Sequence, residues 1–184
     1  MPRRTDTRQR VVRTAAGLFR AQGYHATGIN QVLAEGGAPK GSLYFHFPGG
    51  KEQLAVEAVT LAGNELCEAL AAALAAEPDP AKALSRALEV LGQELVASDF
   101  RSGCPVATVA LDAASDSEPI RVACEDVYAS WQRLIAAHVG DDDLATVVLA
   151  AVEGALLLAR TRRSPDPLHA VAARLGALLG RPRP

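Results

Sequence analysis

From Asp6 to about Gln22 the apolar residues Val11, Val12, Ala15, Leu18 and Phe19 recur at the spacing of one helical face, and Gly23 is placed to end the run. A shorter amphipathic segment follows with Ile29, Val32 and Leu33; Thr27 is its expected N-cap, and "EGGAP" stops it with two glycines and a proline. Pro39 suits the first turn of a third helix, where its missing N–H costs nothing, and that helix runs through Leu43 and Tyr44 until Pro48 and the glycines. The pattern then predicts a long helix from Lys51 to about Ala76, a break at "EPDP", a helix over Pro80 to Ala97 and the loop "SDFRSG". Helices over about 105–114, 118–137 and 142–162 come next, and after "SPDP" a last one reaches about Leu179. Nine helices result, with no fixed-period repeat and no low-complexity linker. Helix, tight glycine-containing turn, helix at the start is the arrangement of a DNA-binding helix-turn-helix.

Composition agrees with an all-α chain. Alanine and leucine dominate the 184 residues while aromatics make up 4%, which favours helix over a sandwich or barrel. Cys67, Cys104 and Cys124 are odd in number and have no CxxC spacing, so neither a disulfide framework nor a zinc site is expected, and a reducing cytoplasm is. The basic N-terminus is not followed by an apolar run, so no secretory signal is read there. The apolar stretch from Leu144 to Ala159 contains Glu153 and falls short of the ~20 residues of a bilayer span, so no membrane is expected as a partner. Charge adds something the pattern does not show: the chain through Lys51 is net +6 and the remainder −8. A basic head on an acidic body points to a polyanion at one end.

The order "TAAGLFRAQGYHATGINQVLAEGGAPKGSLYFHFPGGKEQL" carries G-Y-x-x-T, then K-G-S-L-Y-x-H-F, then K-E-x-L. In this it resembles the DNA-binding domain of TetR-type transcriptional repressors, and "SGCPVATVALDAAS" is similar to their LmrA/YxaF-like subgroup. The resemblance implies a helix-turn-helix domain over residues 1–51, packed on a helical effector-binding and dimerisation domain over residues 52–184. It also implies a homodimer on double-stranded operator DNA, released by a small molecule.

The residues support the DNA role on physical grounds. A helix entering the major groove reaches base edges with its N-terminal residues, so Pro39, Lys40 and Ser42 are candidates for base or near-base contact, with Gly41 permitting close approach. Tyr44 and His46 can donate to phosphate oxygens. Thr27 and Lys51, at helix N-termini, are expected to clamp phosphates, while Leu43, Phe45 and Phe47 are expected in the core. Two readings stand for the arm Arg3, Arg4, Arg8: insertion into an adjacent minor groove, or a solubilising tail. The "GGK" at residues 49–51 is not a P-loop, because Phe45 stands where that motif needs glycine and Glu52 where it needs Ser or Thr.

A monomeric helix-turn-helix makes few phosphate contacts, whereas two heads about 34 Å apart read an inverted repeat. Dimerisation is expected through the last two helices as a four-helix bundle between subunits. Leu144, Val147, Val148, Ala151, Val152, Ala155, Leu156 and Leu158 leave the first of these little polar face, and Leu175, Leu178 and Leu179 continue it, with Gly176 and Gly180 spaced for close approach. For the effector, Phe100, Cys104, Pro105, Val109 and Trp131 are the expected lining, Trp131 being equally suited to ordinary core and Cys104 better read as a small buried hydrophobe than as an oxidant sensor. The absence of a charged cluster points to an apolar or aromatic effector. No Ser, His, Asp arrangement, no HExxH and no paired carboxylates emerge, so no enzyme, metal site or cofactor is expected. A constitutive DNA-binding regulator with a vestigial pocket is the alternative.

Overall fold

The computed structural model describes residues 4–179, and these form nine α-helices and no strand: α1 (Arg4–Gln22), α2 (Ile29–Glu35), α3 (Leu43–His46), α4 (Gly50–Ala75), α5 (Pro80–Ala97), α6 (Ala107–Ala113), α7 (Glu118–Val139), α8 (Asp142–Arg162) and α9 (Asp166–Leu179). Arg3 and Gly180 lie outside the described residues. Helix ends follow local chemistry. Asp79 caps α5, accepting from the N–H groups of Ala81 and Lys82 at 2.9 and 3.0 Å, with Pro80 at the first helical position. Asp141 caps α8 by accepting from the Leu144 N–H at 2.8 Å; Asp142 and Asp143 follow in its first turn and Arg160 and Arg162 stand in its last, as the helix dipole favours.

The third helix is shorter than expected. Pro39 to Ser42 form a turn closed by the Ser42 N–H on the Pro39 carbonyl at 3.1 Å, with Gly41 at φ +84°. Glycine is the residue that adopts this left-handed geometry without strain, and it stands at the third turn position, where a type II turn demands it. Pro39 and Lys40 therefore sit on a turn ahead of the helix.

The chain divides into two compact units. One holds α1, α2, α3, the part of α4 up to Glu65, and Cys104–Tyr128; the other holds Leu66–Gly103 and the chain from Ala129 onward. This differs from a division at residues 51 and 52, because Leu54, Ala55, Ala58 and Val59 of α4 are buried with the first helices and α6 packs against α1. The core of the first unit includes Val11, Ala15, Phe19, Val32, Leu33, Leu43 and Phe47. In the second, α9 packs against α5 and α8, and Ala73, Leu74, Ala83 and Ala87 form a cluster flanked by Leu70, Val90 and Leu134. By length and composition α4 and α8 are apolar enough to cross a bilayer. The core helices of a folded protein meet the same criterion, and each of these two buries one face within the protein.

Candidate nucleic-acid interface and apolar cavity

In the first unit, α3 is held from beneath by Leu43 and Phe47, which are buried at i and i+4. Arg8 fixes it from the α1 side. Its Nε donates to the His46 carbonyl at 3.4 Å, its guanidinium lies 4.9 Å from the Phe47 ring centroid, and its Nη2 meets Glu57 at 2.6 Å. Arg8 is thus part of α1, committed to packing rather than to a free arm. Arg10 pairs with Asp6 and Arg13 with Glu65. The positive excess of the head is consequently offset within its own unit, where the acidic residues of α4, α6 and α7 outnumber the added arginine.

Pro39, Lys40, Gly41 and Tyr44 share the outer surface of the tip. His46 is half-buried and its ring meets those of Phe45 and Phe47 edge-on. Ser42 differs from expectation: its hydroxyl is buried and has no hydrogen-bond partner among the described residues. Phe45, expected in the core, is 62% exposed. The reason is geometric, since the inward line of so short a helix is already filled by Leu43 and Phe47.

Thr27 and Lys51 are engaged internally. Gly28, not Thr27, occupies the N-cap position of α2. Thr27 is fully buried; its hydroxyl donates to the Gly23 carbonyl at 2.6 Å and accepts from Gln22 Nε2 at 3.2 Å, which locks the turn between α1 and α2 and turns the group away from any phosphate. The Lys51 ammonium lies 4.4 Å from the Tyr24 ring centroid. Desolvation lowers its pKa, partly opposed by Asp112, and raises that of Tyr24, where Glu52 acts in the same direction. α6 grips the same turn: the His25 N–H donates to Asp112 Oδ2 at 3.3 Å, and the His25 ring lies 2.9 Å from the Asp112 carbonyl through Nε2.

The second unit contains an apolar cavity of about 60 Å³. Leu66, Leu70 and Leu74 of α4 face it at successive helical turns; α5 adds Leu84, Leu88 and Leu91, α7 adds Trp131, Leu134, Ile135 and His138, and α8 adds Val148, Val152, Glu153 and Leu156. Nε2 of His138 is buried and without a hydrogen-bond partner among the described residues. Of the expected lining only Trp131 is present. Cys104, Pro105 and Val109 are buried in the other unit, where Cys104 Sγ accepts from the N–H groups of Val106 and Ala107 at 3.4 and 3.3 Å at the entry to α6. Phe100 follows α5 in a left-handed conformation, its N–H bonded to the Leu95 carbonyl at 2.7 Å, and is not among the lining residues. An apolar run read along a sequence does not tell which helices surround a void, so the lining was not legible.

The expected dimerisation residues also divide. Val148, Val152, Ala155, Leu156 and Leu175 are buried inside the subunit, Ala151 and Leu179 are half-buried, and Leu178 is exposed. A different stripe of α8 faces outward, with Val147, Ala150, Gly154, Leu157 and Leu158, and on α9 it is joined by Ala170, Ala173, Ala177 and Leu178.

Comparison with known proteins follows the same lines. Residues 11–58 match the family model of bacterial regulatory proteins of the tetR family, and residues 80–174 match that of the C-terminal domain of LmrA/YxaF-like transcriptional regulators. The HTH-type transcriptional regulator YxaF of Bacillus subtilis (strain 168) is 35% identical over 97% of this chain and 98% of its own. LmrA of the same strain, an HTH-type transcriptional regulator, is 36% identical over 96% and 98%. A TetR transcriptional regulator from Chloroflexus aurantiacus superposes with a TM-score of 0.81 at 30% identity over 96% of both chains. A cysteine mutant of the TetR-family regulator CifR, solved with 26-bp operator DNA, shares the fold with a TM-score of 0.80 at 23% identity, over 96% of this chain and 98% of its own.

Proposed function

This chain belongs to the TetR family of bacterial transcriptional regulators, in its LmrA/YxaF-like branch, and from that premise we propose that it is a ligand-responsive repressor. It is a DNA-binding regulator and not an enzyme. In the proposed cycle a cytoplasmic homodimer holds a palindromic operator, with Pro39, Lys40 and Gly41 near the bases and Tyr44 and His46 on phosphates, and a small apolar or aromatic molecule releases it. Dimerisation is supported by α8, which is apolar on both sides: one face fills the subunit and the other, around Val147, Gly154, Leu157 and Leu158, stays uncovered in a single chain.

The observation that carries the ligand response is the cavity. Its volume of about 60 Å³ is below the ~150 Å³ of an apolar cavity that admits benzene and well below the ~300 Å³ at which drug-sized sites begin. An effector must therefore separate the four surrounding helices. α4 and α7 each continue into the unit that carries the helix-turn-helix, so a state with these helices spread differs at its DNA-reading end, and a ligand that prefers it lowers DNA affinity by its differential affinity for the two states.

The test is a titration of operator binding at fixed salt with apolar compounds chosen because they raise the melting temperature. Operator affinity falling in step with cavity occupancy supports the proposal. A compound that occupies the cavity, as judged by quenching of Trp131, and leaves affinity unchanged points instead to the constitutive regulator.

A further inference from the structure

Phe45 is large, apolar and exposed at the tip that reads DNA. At ~100° per residue, Leu43 and Phe47 mark the inward line of α3, and Phe45, two residues from each, lies ~200° round from both, on the opposite side. Tyr44, 70% exposed, and His46 occupy the two shoulders. A helix lying in the major groove meets base edges along its outermost line and phosphates at its shoulders. The central position thus belongs to a phenyl ring that can neither donate nor accept a hydrogen bond.

We propose that Phe45 is a specificity-determining residue that reads the C5-methyl group of a thymine in each operator half-site. The methyl is the apolar group that a base pair displays in the major groove; the other features presented there are polar donors and acceptors, which a phenyl ring would desolvate without replacing. Contact with the methyl buries two apolar surfaces at once. Lys40, exposed on the turn that precedes the helix, brings the charge that holds the tip against the duplex. The inference rests on the reading that this tip binds DNA, and it adds a sequence requirement that the shoulder contacts do not carry.

The experiment uses the full-length protein. Duplexes selected from a randomised library by the wild type are remade with each thymine in turn replaced by deoxyuridine, which removes the methyl and keeps the pairing. The expected result is one thymine per half-site whose replacement weakens wild-type binding about fourfold, the equivalent of one buried methyl group. Phe45→Ala binds the two duplexes equally, whereas Phe45→Leu, which keeps an apolar tip, retains part of the difference. The proposal is overturned if no thymine responds in the wild type, a result independent of any variant, or if Phe45→Ala shows the same response. Failure to enrich any sequence above random DNA would overturn the DNA reading itself, which separates the two failures.

Discussion

Thr27 is fully buried, and its hydroxyl spans Gly23 and Gln22. Thr27→Val keeps the shape but leaves the Gly23 carbonyl without this donor in a closed environment, so a loss of about 1–3 kcal/mol in urea unfolding is expected, with Thr27→Ser recovering most of it. Gly41 makes a sharper demand, because its φ of +84° is accessible to alanine only with strain; Gly41→Ala should cost about 1–2 kcal/mol and weaken DNA binding through displacement of Lys40 and α3. Burial pushes the Cys124 thiol up to about 11, and Tyr24 is raised as well. Both groups release their proton at lower pH when unfolded, so the stability Cys124 contributes is complete below about pH 9 and is lost as pH rises through about 11, and Tyr24 adds a loss of the same sign above its ordinary value of about 10. Unfolding measured from pH 8 to 11 should show this decline, and Cys124→Ala should make it shallower.

Among the elements, α8 and α3 were legible to different degrees. Its caps and length made α8 readable to the residue, since Asp141 and the "SPDP" break are local signals. Which of its apolar positions face inward was not readable, because a helix apolar all round has no amphipathic phase to read. The structure supplies the phase, with Val148, Val152 and Leu156 inward and Val147, Gly154 and Leu157 outward. Leu157→Glu is accordingly expected to shift the protein to monomer in light scattering with helicity unchanged, while Val148→Glu should unfold it. For α3 the sequence pattern predicts one helix from Pro39 through Tyr44, whereas the turn at Gly41 leaves Lys40 ahead of a shorter helix on which Phe45 faces outward.

At the scale of the molecule, the proposed ligand response rests on a cavity of about 60 Å³ lined by four helices, which an effector would have to separate. His138 sharpens this, since its buried Nε2 lacks a hydrogen-bond partner among the described residues. A ligand with one hydroxyl can satisfy it. p-Cresol and p-xylene differ by a hydroxyl in place of a methyl, and the affinity ratio between them, measured by calorimetry, should shift toward p-xylene by about fivefold in His138→Phe, the worth of one neutral hydrogen bond. An unchanged ratio would place the polar anchor elsewhere.

The sequence by itself determined the helical class, the number of helices and most of their ends, and the family motif of the DNA-binding tip, because caps, breakers and periodicity act over a few residues. Only the tertiary structure decided that α6 and the front of α7 join the DNA-binding unit, that Thr27 and Lys51 serve the α1–α2 turn, and that α4, α5, α7 and α8 enclose a void. The physical reason is that burial depends on which segments meet in space: a partner such as Asp112 for His25, 87 residues away, leaves no trace in the spacing of its neighbours, and even the short-range bonds of Thr27 depend on how the turn is packed.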